Sequence, residues 1–223
     1  MRFVGTVLAN LPSRTSAEAR CWTVDDAARD TLDNEPLGRL TVMWCGLWLA
    51  LAAGLMFSLT HYAATASLDR PGITEWPLES AIERAPERST LLCFVHPRCA
   101  CTEATLRELE RVVSRSPHAA VRIIFREDPS HDLASARTWS LAESVPGAER
   151  FVDVEGREAD RFGAATSGLV LLFDGAGALC FRGGITSSRG HEGDSAGARA
   201  LESALRSNAV GKAAIFGCGL EES

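Results

Sequence analysis

The chain has 223 residues and carries 23 Lys and Arg against 29 Asp and Glu, for a formal net charge of −6. A hydrophobic content of 46% with 23% charged residues is typical of a globular protein and excludes wholesale disorder. Without a surplus of basic residues, nothing draws the chain onto a phosphate backbone, so we expect no nucleic-acid partner. The length allows one domain with appendages or two small domains.

An uncharged apolar segment near the N-terminus predicts a membrane anchor. Residues 40–60 contain no charged side chain, and a helix of this length spans roughly 30 Å, the thickness of a hydrocarbon core. Trp44, Trp48 and Tyr62 lie towards its ends, where aromatic rings favour the membrane interface. The alternatives are a buried helix of a soluble protein and a signal peptide cleaved at Ala64-Thr65-Ala66. We therefore predict a transmembrane helix over residues 40–62.

The distribution of arginines predicts the orientation of this anchor. Five arginines precede the span, whereas Arg70 alone follows it closely. By the positive-inside rule, residues 1–39 form a polar cytoplasmic tail and the C-terminal part lies on the other side. We therefore expect a single-pass protein of the inner (cytoplasmic) membrane with a periplasmic or otherwise extracytoplasmic domain, where disulfides persist. Prolines at positions 71, 77 and 86 predict a stalk or linker over residues 63–88.

Residues 89–210 carry the pattern of an α/β domain. The apolar run Leu91–Val95 predicts a strand buried on both faces, followed by a helix from Thr102 to about Arg115 and a strand at Val121–Phe125. The other predicted elements are a helix near Leu133–Glu143, a strand at Phe151–Val154, a helical turn at Glu158–Phe162, a hairpin of Leu169–Phe173 and Ala178–Arg182 around Asp174–Gly177, and a helix from Asp194 or Ser195 to about Ser207. Together they predict a mixed sheet flanked by helices, with residues 211–223 as a C-terminal tail.

Two of the seven cysteines stand where a reactive thiol is expected. Cys99 and Cys101 lie between a buried strand and the start of a helix, where unpaired N–H groups and the helix dipole favour a thiolate. A solvent-reachable thiolate of low pKa is what disulfide exchange requires. The alternative is a chance pair in one loop. Of the remaining cysteines, Cys45, Cys93 and Cys180 are expected to be packing residues, Cys21 is expected to be cytoplasmic and reduced, and Cys218 lies in the tail.

Two segments make the chain resemble a known superfamily. The sequence FVHPRCACTEATLREL resembles the active-site strand, loop and helix of thioredoxin-like proteins, and FGAATSGLVLLFDGAGALCFRGG resembles the later hairpin of that fold. The added helix between Phe125 and Phe151 is similar to the membrane-tethered TlpA-like branch, and the chain also resembles the RedB-type bacterial proteins. The resemblance implies an α/β thioredoxin-like fold, with a mixed central sheet flanked by helices, preceded by one transmembrane helix. It also implies that Cys99 is the attacking cysteine.

The chain departs from the superfamily pattern at two places. The second cysteine of the family would fall at Thr102, so Cys101 is expected to replace it, and the tight ring of such a pair favours a more oxidising disulfide. The cis-proline that shapes the substrate groove is replaced within Thr166-Ser167-Gly168, where glycine can preserve the shape of the loop. Peroxidase chemistry is not expected, because His96 and Arg98 stand where peroxiredoxins have a threonine.

Further candidates surround this pair. Cys218 is either a resolving thiol that swings in from the tail or an inert residue. His96, which precedes Pro97, is either a loop histidine, a metal ligand or a cation beside the thiolate. By resemblance, the rim of the substrate site comprises His96, Pro97, Thr166, Ser167, Gly168, Arg189 and His191, with Glu192 beside them, although the loop after Gly183 could also be simply solvated.

These observations predict a membrane-anchored thiol–disulfide oxidoreductase that acts on extracytoplasmic protein thiols and disulfides through Cys99 and Cys101, without a cofactor. An alternative of another class is a Cu(I)-binding chaperone or assembly factor of the same fold, with thiolates and His96 or His191 as ligands to copper. A third is a non-catalytic membrane interaction module. The oligomeric state does not follow from the sequence.

Overall fold

The computed structural model describes residues 36–67, 69–70, 72–130, 132–207 and 209–221. The chain divides into two compact units, Met1–Met56 and Phe57–Ser223. Helix α1 runs over Pro36–Ala64, and within the described residues it is the one helix long and apolar enough to cross a membrane. An 18-residue stretch within Gly38–Ala64 has a mean hydropathy of 1.9. Length and composition alone support this assignment. Cys21 and most of the predicted cytoplasmic tail lie outside the described residues.

The second unit is built on a six-stranded mixed sheet with the strand order β3-β2-β1-β4-β5-β6. Strands β1, β2 and β3 are parallel, β4 is antiparallel to β1, β5 is antiparallel to β4, and β6 is parallel to β5. The strands are β1 Thr90–Val95, β2 Ala120–Arg126, β3 Ala148–Asp153, β4 Leu169–Phe173, β5 Leu179–Gly183 and β6 Gly211–Lys212. This arrangement confirms the predicted mixed α/β architecture.

Helices cover both faces of the sheet because its central strands are apolar on both sides. In β1, Leu91, Cys93 and Val95 enter one core with helices α2 (Ala100–Arg115) and α5 (Ala196–Ser207). Leu92 and Phe94 enter the other core, which includes residues of helix α4 (Arg157–Arg161). Strand β1 is therefore fully buried, as its continuous apolar sequence predicts.

The predicted helix over Leu133–Glu143 is interrupted in the structure. A 3-10 turn at Leu133–Ser135 is capped by Asp132, whose side chain accepts a hydrogen bond from the N–H of Ala134 at 3.0 Å. Ala136 is then extended, and helix α3 covers Arg137–Leu141. A second 3-10 turn follows at residues 142–144. The Asp132 cap thus starts a separate short turn, and the extended Ala136 divides that turn from helix α3.

Strand β3 begins earlier than the predicted Phe151–Val154 and ends at Asp153. It is an edge strand, and after Ala148 its residues Glu149 and Arg150 are polar. Glu149 forms an ion pair with Arg122 of β2 at 3.0 Å. The apolar pattern therefore captured only the buried end of this strand.

The segment expected to be a stalk, residues 63–88, packs against the sheet where it is described. The ring centroid of Trp76 lies 5.1 Å from that of Phe162 and 5.0 Å from that of Phe173, both in edge-on contacts. The buried guanidinium of Arg182 pairs with the Asp69 carboxylate at 2.7 Å. This segment differs from a free linker because it contributes an aromatic ring to the domain and a carboxylate partner to the buried Arg182.

Candidate thiol active site

The loop after β1 places Cys99 at the N-terminus of helix α2. Cys99 is the N-cap residue, with φ −82° and ψ 124°, and the N–H of Thr102 donates to its carbonyl oxygen at 2.9 Å. The N–H of Cys99 donates to the carbonyl oxygen of His96 at 3.3 Å, which closes a tight turn. The helix begins at Ala100, so Cys101 lies inside its first turn, whereas the sequence predicted a start at Thr102. No side-chain cap occupies the first N–H groups, and the backbone N–H of Cys101 in this first turn acts to lower the pKa of Cys99.

Three thiols meet at this helix end. The Sγ atoms of Cys99, Cys101 and Cys218 all lie within 4.8 Å of one another, and the Sγ atoms of Cys99 and Cys218 are 3.1 Å apart. All three are free thiols; Cys99 and Cys101 are buried, at 7% and 8% exposure, and Cys218 is partly exposed. Cys93 and Cys180 are buried in strands, as expected of packing residues, whereas Cys45 is exposed on helix α1.

One of the three thiols carries the charge. The Cys101 thiol, and then the Cys218 thiol, donate to the sulfur of Cys99 and hold its pKa at about 4 against the opposing effect of burial. The pKa of Cys101 is raised by its bond to Cys99 and by burial, and the pKa of Cys218 is raised by burial first. The cluster is therefore a single thiolate with two thiol donors. The sequence predicted a thiolate at this helix start, and the structure assigns it to Cys99.

His96 is a buried residue beside this cluster. Burial lowers its pKa, and the Nδ1 atom accepts a hydrogen bond from the N–H of Arg98 at 3.3 Å. An imidazolium that stabilises the thiolate, one of the roles considered from the sequence, is therefore not favoured. The carbonyl oxygen of the adjacent Pro97 accepts a bond from the hydroxyl of Thr138 at 2.5 Å, which ties helix α3 to the active-site loop.

Hydroxyl groups bind the active-site loop to the loop before β4. The Oγ1 of Thr102 donates to the carbonyl oxygen of His96 at 2.9 Å and lies 2.9 Å from the Oγ of Ser167. The Ser167 Oγ in turn accepts from the N–H of His96 at 2.9 Å, and the N–H of Gly168 donates to Phe94 at 2.8 Å. Thr102, where the resemblance placed a second cysteine, thus bonds the two loops together through its hydroxyl. Gly168 has φ +92° and no cis peptide bond occurs in the described part of the chain, so glycine shapes this loop.

The C-terminal segment lies against this same loop. The N–H of Ser167 donates to the carbonyl oxygen of Cys218 at 2.9 Å, and the N–H of Leu220 donates to Ala165 at 2.9 Å. Thr166 and Gly219 form an antiparallel bridge between these bonds. Residues 215–220, which we call the tail strand, therefore lie along this loop through one isolated β-bridge and hold Cys218 beside the other thiols. Cys218 was considered either as a resolving thiol or as an inert residue, and its contact with Cys99 is what a resolving thiol requires.

Ser67 and Arg189 fasten the tail strand from its other side. The N–H of Ser67 donates to the carbonyl oxygen of Ile215 at 2.8 Å. The Ser67 hydroxyl donates to the carbonyl oxygen of Gly217 at 2.7 Å. The Nη2 of Arg189 donates to the same hydroxyl at 3.1 Å, and its Nη1 donates to the carbonyl oxygen of Tyr62 at 2.6 Å. The charge of Arg189 also acts to lower the pKa of Cys218. Sequence reasoning missed Ser67, because a lone serine in a proline-containing segment gives no signal.

The predicted rim is only partly assembled at the thiols. Thr166, Ser167 and Gly168 are buried beside the tail strand. Arg189 donates a hydrogen bond to Ser67, which in turn bonds to the tail strand. His191 is exposed, and Glu192 pairs with Arg107 at 3.1 Å and with Arg111 at 3.2 Å on helix α2. Glu192 therefore belongs to a surface ion-pair group rather than to the thiol site.

No protein-family model and no curated protein matches the chain. Among solved structures, it is similar to an uncharacterised conserved protein from Geobacillus kaustophilus, with a TM-score of 0.52 and 16% identity over 72% of this chain and 93% of that one. It is also similar to a hypothetical protein from Sinorhizobium meliloti 1021, with a TM-score of 0.51 and 18% identity over 71% of this chain and 95% of that one. A secreted Mycobacterium tuberculosis disulfide oxidoreductase homologous to E. coli DsbE has a TM-score of 0.41 and 13% identity over 60% of this chain and 95% of that one. At these identities the likeness describes the fold alone.

The fold is thioredoxin-like: a strand, helix and strand unit with parallel β1 and β2, followed by the β4–β5 hairpin and a closing helix. Within that fold, the cysteine that follows β1 is at the helix start expected for it, and a third thiol from the C-terminal segment joins it. The TlpA-like branch stays a prediction.

Proposed function

We propose that the chain is a membrane-anchored thiol–disulfide oxidoreductase that acts on extracytoplasmic protein thiols and disulfides, with Cys99 as the attacking cysteine. The observation that carries the proposal is the cluster itself, in which the Cys99 sulfur lies 3.1 Å from that of Cys218 and within 4.8 Å of that of Cys101. Helix α1 supports the anchor by its length and apolar composition, and the arginine distribution supports the orientation.

The exchange takes two balanced steps. The Cys99 thiolate attacks one sulfur of a substrate disulfide, the substrate S–S bond breaks, and the other substrate sulfur leaves as a thiolate that takes up a proton. A second thiol of the chain then loses its proton, attacks Cys99 in the mixed disulfide and releases the first substrate sulfur. Two electrons pass to the substrate, whose two sulfurs take up the proton of the second thiol and one proton from solvent, and the chain is left with a disulfide. A dithiol protein restores the reduced chain by the reverse exchange.

Cys101 and Cys218 compete for the second step. The sequence favours Cys101, because it replaces the second cysteine of the family pattern. The 3.1 Å separation favours Cys218, whose sulfur is already in contact with Cys99. Both thiols have raised pKa values in the presence of the Cys99 thiolate, so either becomes a better nucleophile once Cys99 has lost its charge in the mixed disulfide.

The test is intact mass measurement and thiol titration of the full chain in detergent, before and after treatment with an oxidised dithiol. The variants are Cys99→Ser, Cys101→Ser and Cys218→Ser, and Cys180→Ser is the matched control because it is a buried thiol in β5, outside the cluster. We expect a reversible loss of two hydrogens that requires Cys99 and survives in the control. The variant that traps the mixed disulfide identifies the resolving thiol. Oxidation that proceeds equally without Cys99 would refute the proposal.

A second candidate function is Cu(I) binding, and the sulfur cluster is the observation that favours it. Three cysteine sulfurs within 4.8 Å of one another match the thiolate ligands that Cu(I) prefers. Binding must release the protons of Cys101 and Cys218, so copper affinity would rise with pH. His96 is less suited than the sequence suggested, since its Nδ1 already accepts a hydrogen bond. Competition with a chromophoric Cu(I) chelator distinguishes the two functions: one equivalent retained by the chain, and lost in all three variants, would support a chaperone.

A further inference from the structure

The tail strand occupies the groove beside Cys99 in the manner of a bound peptide. Its pairing with the loop at residues 165–167 uses backbone groups: Ser167 N–H to Cys218, Leu220 N–H to Ala165, and the bridge between Thr166 and Gly219. Backbone pairing at an exposed edge accepts an extended polypeptide whatever its sequence, and flanking pockets then supply the selectivity. The groove is therefore shaped to hold an extended segment with a cysteine opposite Cys99.

We infer that this groove is the docking site for an extended segment of a partner protein that presents a cysteine directly after a glycine, and that the tail strand closes the groove as an internal copy of such a segment. The inference rests on the proposed function, because docking brings the partner's cysteine to the Cys99 thiolate. It adds the recognition pattern of the substrate and a built-in competitor for the site.

Gly217 sets the most stringent part of the pattern. A Cβ atom at this position would lie 1.8 Å from the carbonyl oxygen of Ser167, a backbone atom of the loop that forms the groove. That loop cannot move aside easily, because the side chain and N–H groups of Ser167 are bonded to His96 and to the tail strand. A segment bound in the same register therefore requires glycine immediately before its cysteine.

Apolar contacts set the rest of the pattern. Ile215 and Leu220, three residues before and two residues after Cys218, are both 3% exposed and belong to the core on the α4 side of the sheet. Phe216 and Gly219 between them are only partly buried. The expected partner sequence is therefore an apolar residue, any residue, glycine, cysteine, any residue and a second apolar residue.

The tail strand is a strong competitor because it is tethered and fastened. A tethered segment binds at a high effective concentration, so a separate partner must displace it. Ser67 contributes three hydrogen bonds to it, one to Ile215 and two to Gly217, and Arg189 contacts the same serine. Release of the tail strand thus requires that these contacts break, which makes access to Cys99 conditional.

The test uses the full chain in detergent with Cys218→Ser, which removes the competing thiol but leaves Cys101. The probes are a synthetic peptide with the sequence of residues 214–221, its cysteine carried as a mixed disulfide with thionitrobenzoate, and the same peptide with valine in place of the glycine before the cysteine. Attack by the Cys99 thiolate forms the peptide–Cys99 disulfide and releases thionitrobenzoate, which is followed by absorbance. A chain that also carries Cys99→Ser gives the background from the other cysteines.

Gly217→Val opens the groove in this background, because its side chain meets the carbonyl oxygen of Ser167. Ala214→Val is the matched control, since Ala214 is an exposed residue of the same segment. We expect the opened chain to react with the glycine peptide at least about tenfold faster than the Ala214→Val chain does, and at least about tenfold faster than with the valine peptide. Ser67→Ala, which removes the fastening hydroxyl, should give a smaller increase and serves if Gly217→Val does not fold.

Two other outcomes separate the inference from the proposed function. Equal rates for the two peptides on the opened chain, with normal reaction of Cys99 towards a small aromatic disulfide, would overturn the docking inference and leave the redox function intact. No reaction of Cys99 with either peptide or with the small disulfide on a folded, opened chain would overturn both.

Discussion

The ionisation of Cys99 depends on a hydrogen bond that a single substitution removes. The Cys101 thiol is the largest cause of the lowered pKa of Cys99, which lies at about 4 against an ordinary 9.0. A hydrogen bond to a charged group is worth roughly 1.5–3 kcal/mol, which corresponds to about one to two pH units. In Cys101→Ala the ionisation midpoint of Cys99 should therefore rise by about that amount. Cys101→Ser keeps a donor and should show a smaller rise.

The assay is the pH dependence of iodoacetamide alkylation at Cys99, read by mass spectrometry of the peptide that contains it. With a pKa of about 4, roughly nine-tenths of Cys99 is thiolate at pH 5. The Cys101→Ala chain should then react about two- to tenfold more slowly at pH 5 and at the same rate at pH 8. Because Cys99 is buried, the midpoint is compared rather than the absolute rate. An unchanged midpoint in Cys101→Ala, or an original midpoint near that of a free thiol, would refute this reasoning.

The same ionisation links stability to pH. A folded-state pKa that is lowered from 9.0 to about 4 contributes stability that is present above pH 9 and is lost as the pH falls towards 4. The raised pKa values of Cys101 and Cys218 act in the opposite sense, because their contribution is present below the unfolded value and is lost at higher pH. Cys99→Ser should therefore flatten the decline in the free energy of unfolding on the acidic side.

Three substitutions test the supports of the site by chemical denaturation of the full chain. Thr102→Val removes the hydroxyl that bonds to His96 and Ser167 and should lower the free energy of unfolding by about 1–3 kcal/mol. The control Thr105→Val loses only a bond within the helix and should lower it by less. Equal losses in the two variants would count against a bridging role for Thr102. Trp76→Ala removes a ring that packs against two phenylalanines and should lower the free energy of unfolding by about 3–5 kcal/mol. An unchanged free energy of unfolding would indicate that residues 63–88 act as a free stalk. Arg182→Met should cost about 3 kcal/mol, since it leaves the Asp69 carboxylate without its main partner; a gain in stability would show that the pair is dispensable.

The central part of the fold could be predicted because its signals are local. Strands β1 and β4 are continuous apolar runs, and both are fully buried. The hairpin follows from Asp174, whose carboxylate accepts hydrogen bonds from the N–H groups of Ala176 and Ala178 at 2.9 Å each. Ser195 caps helix α5 by accepting from the N–H of Ala198 at 2.9 Å, as its residue type indicates. Each of these signals acts within a few residues.

The remaining features depend on contacts between distant segments. The prolines of residues 63–88 indicate a linker, yet Trp76 and Asp69 have partners on strands β4 and β5, more than ninety residues later. The tail strand contains Gly217 and Gly219, which have little strand propensity, so nothing in its sequence indicates pairing with the loop at residues 165–167. Its docking follows from the shape of the groove and from Ser67. The sequence could thus identify the thiols but not the way in which Cys218 reaches them.

The choice of resolving thiol decides whether oxidation opens or closes the groove. A disulfide between Cys99 and Cys218 would fix the tail strand in place by a covalent bond, and the groove would stay closed until the chain is reduced. A disulfide between Cys99 and Cys101 leaves Cys218 free, and removes the thiolate to which its thiol donates. The tail strand would then be held by its backbone bonds, by Ser67 and by the burial of Ile215 and Leu220. Oxidation through Cys101 therefore favours exchange with a partner, whereas oxidation through Cys218 protects Cys99 from one.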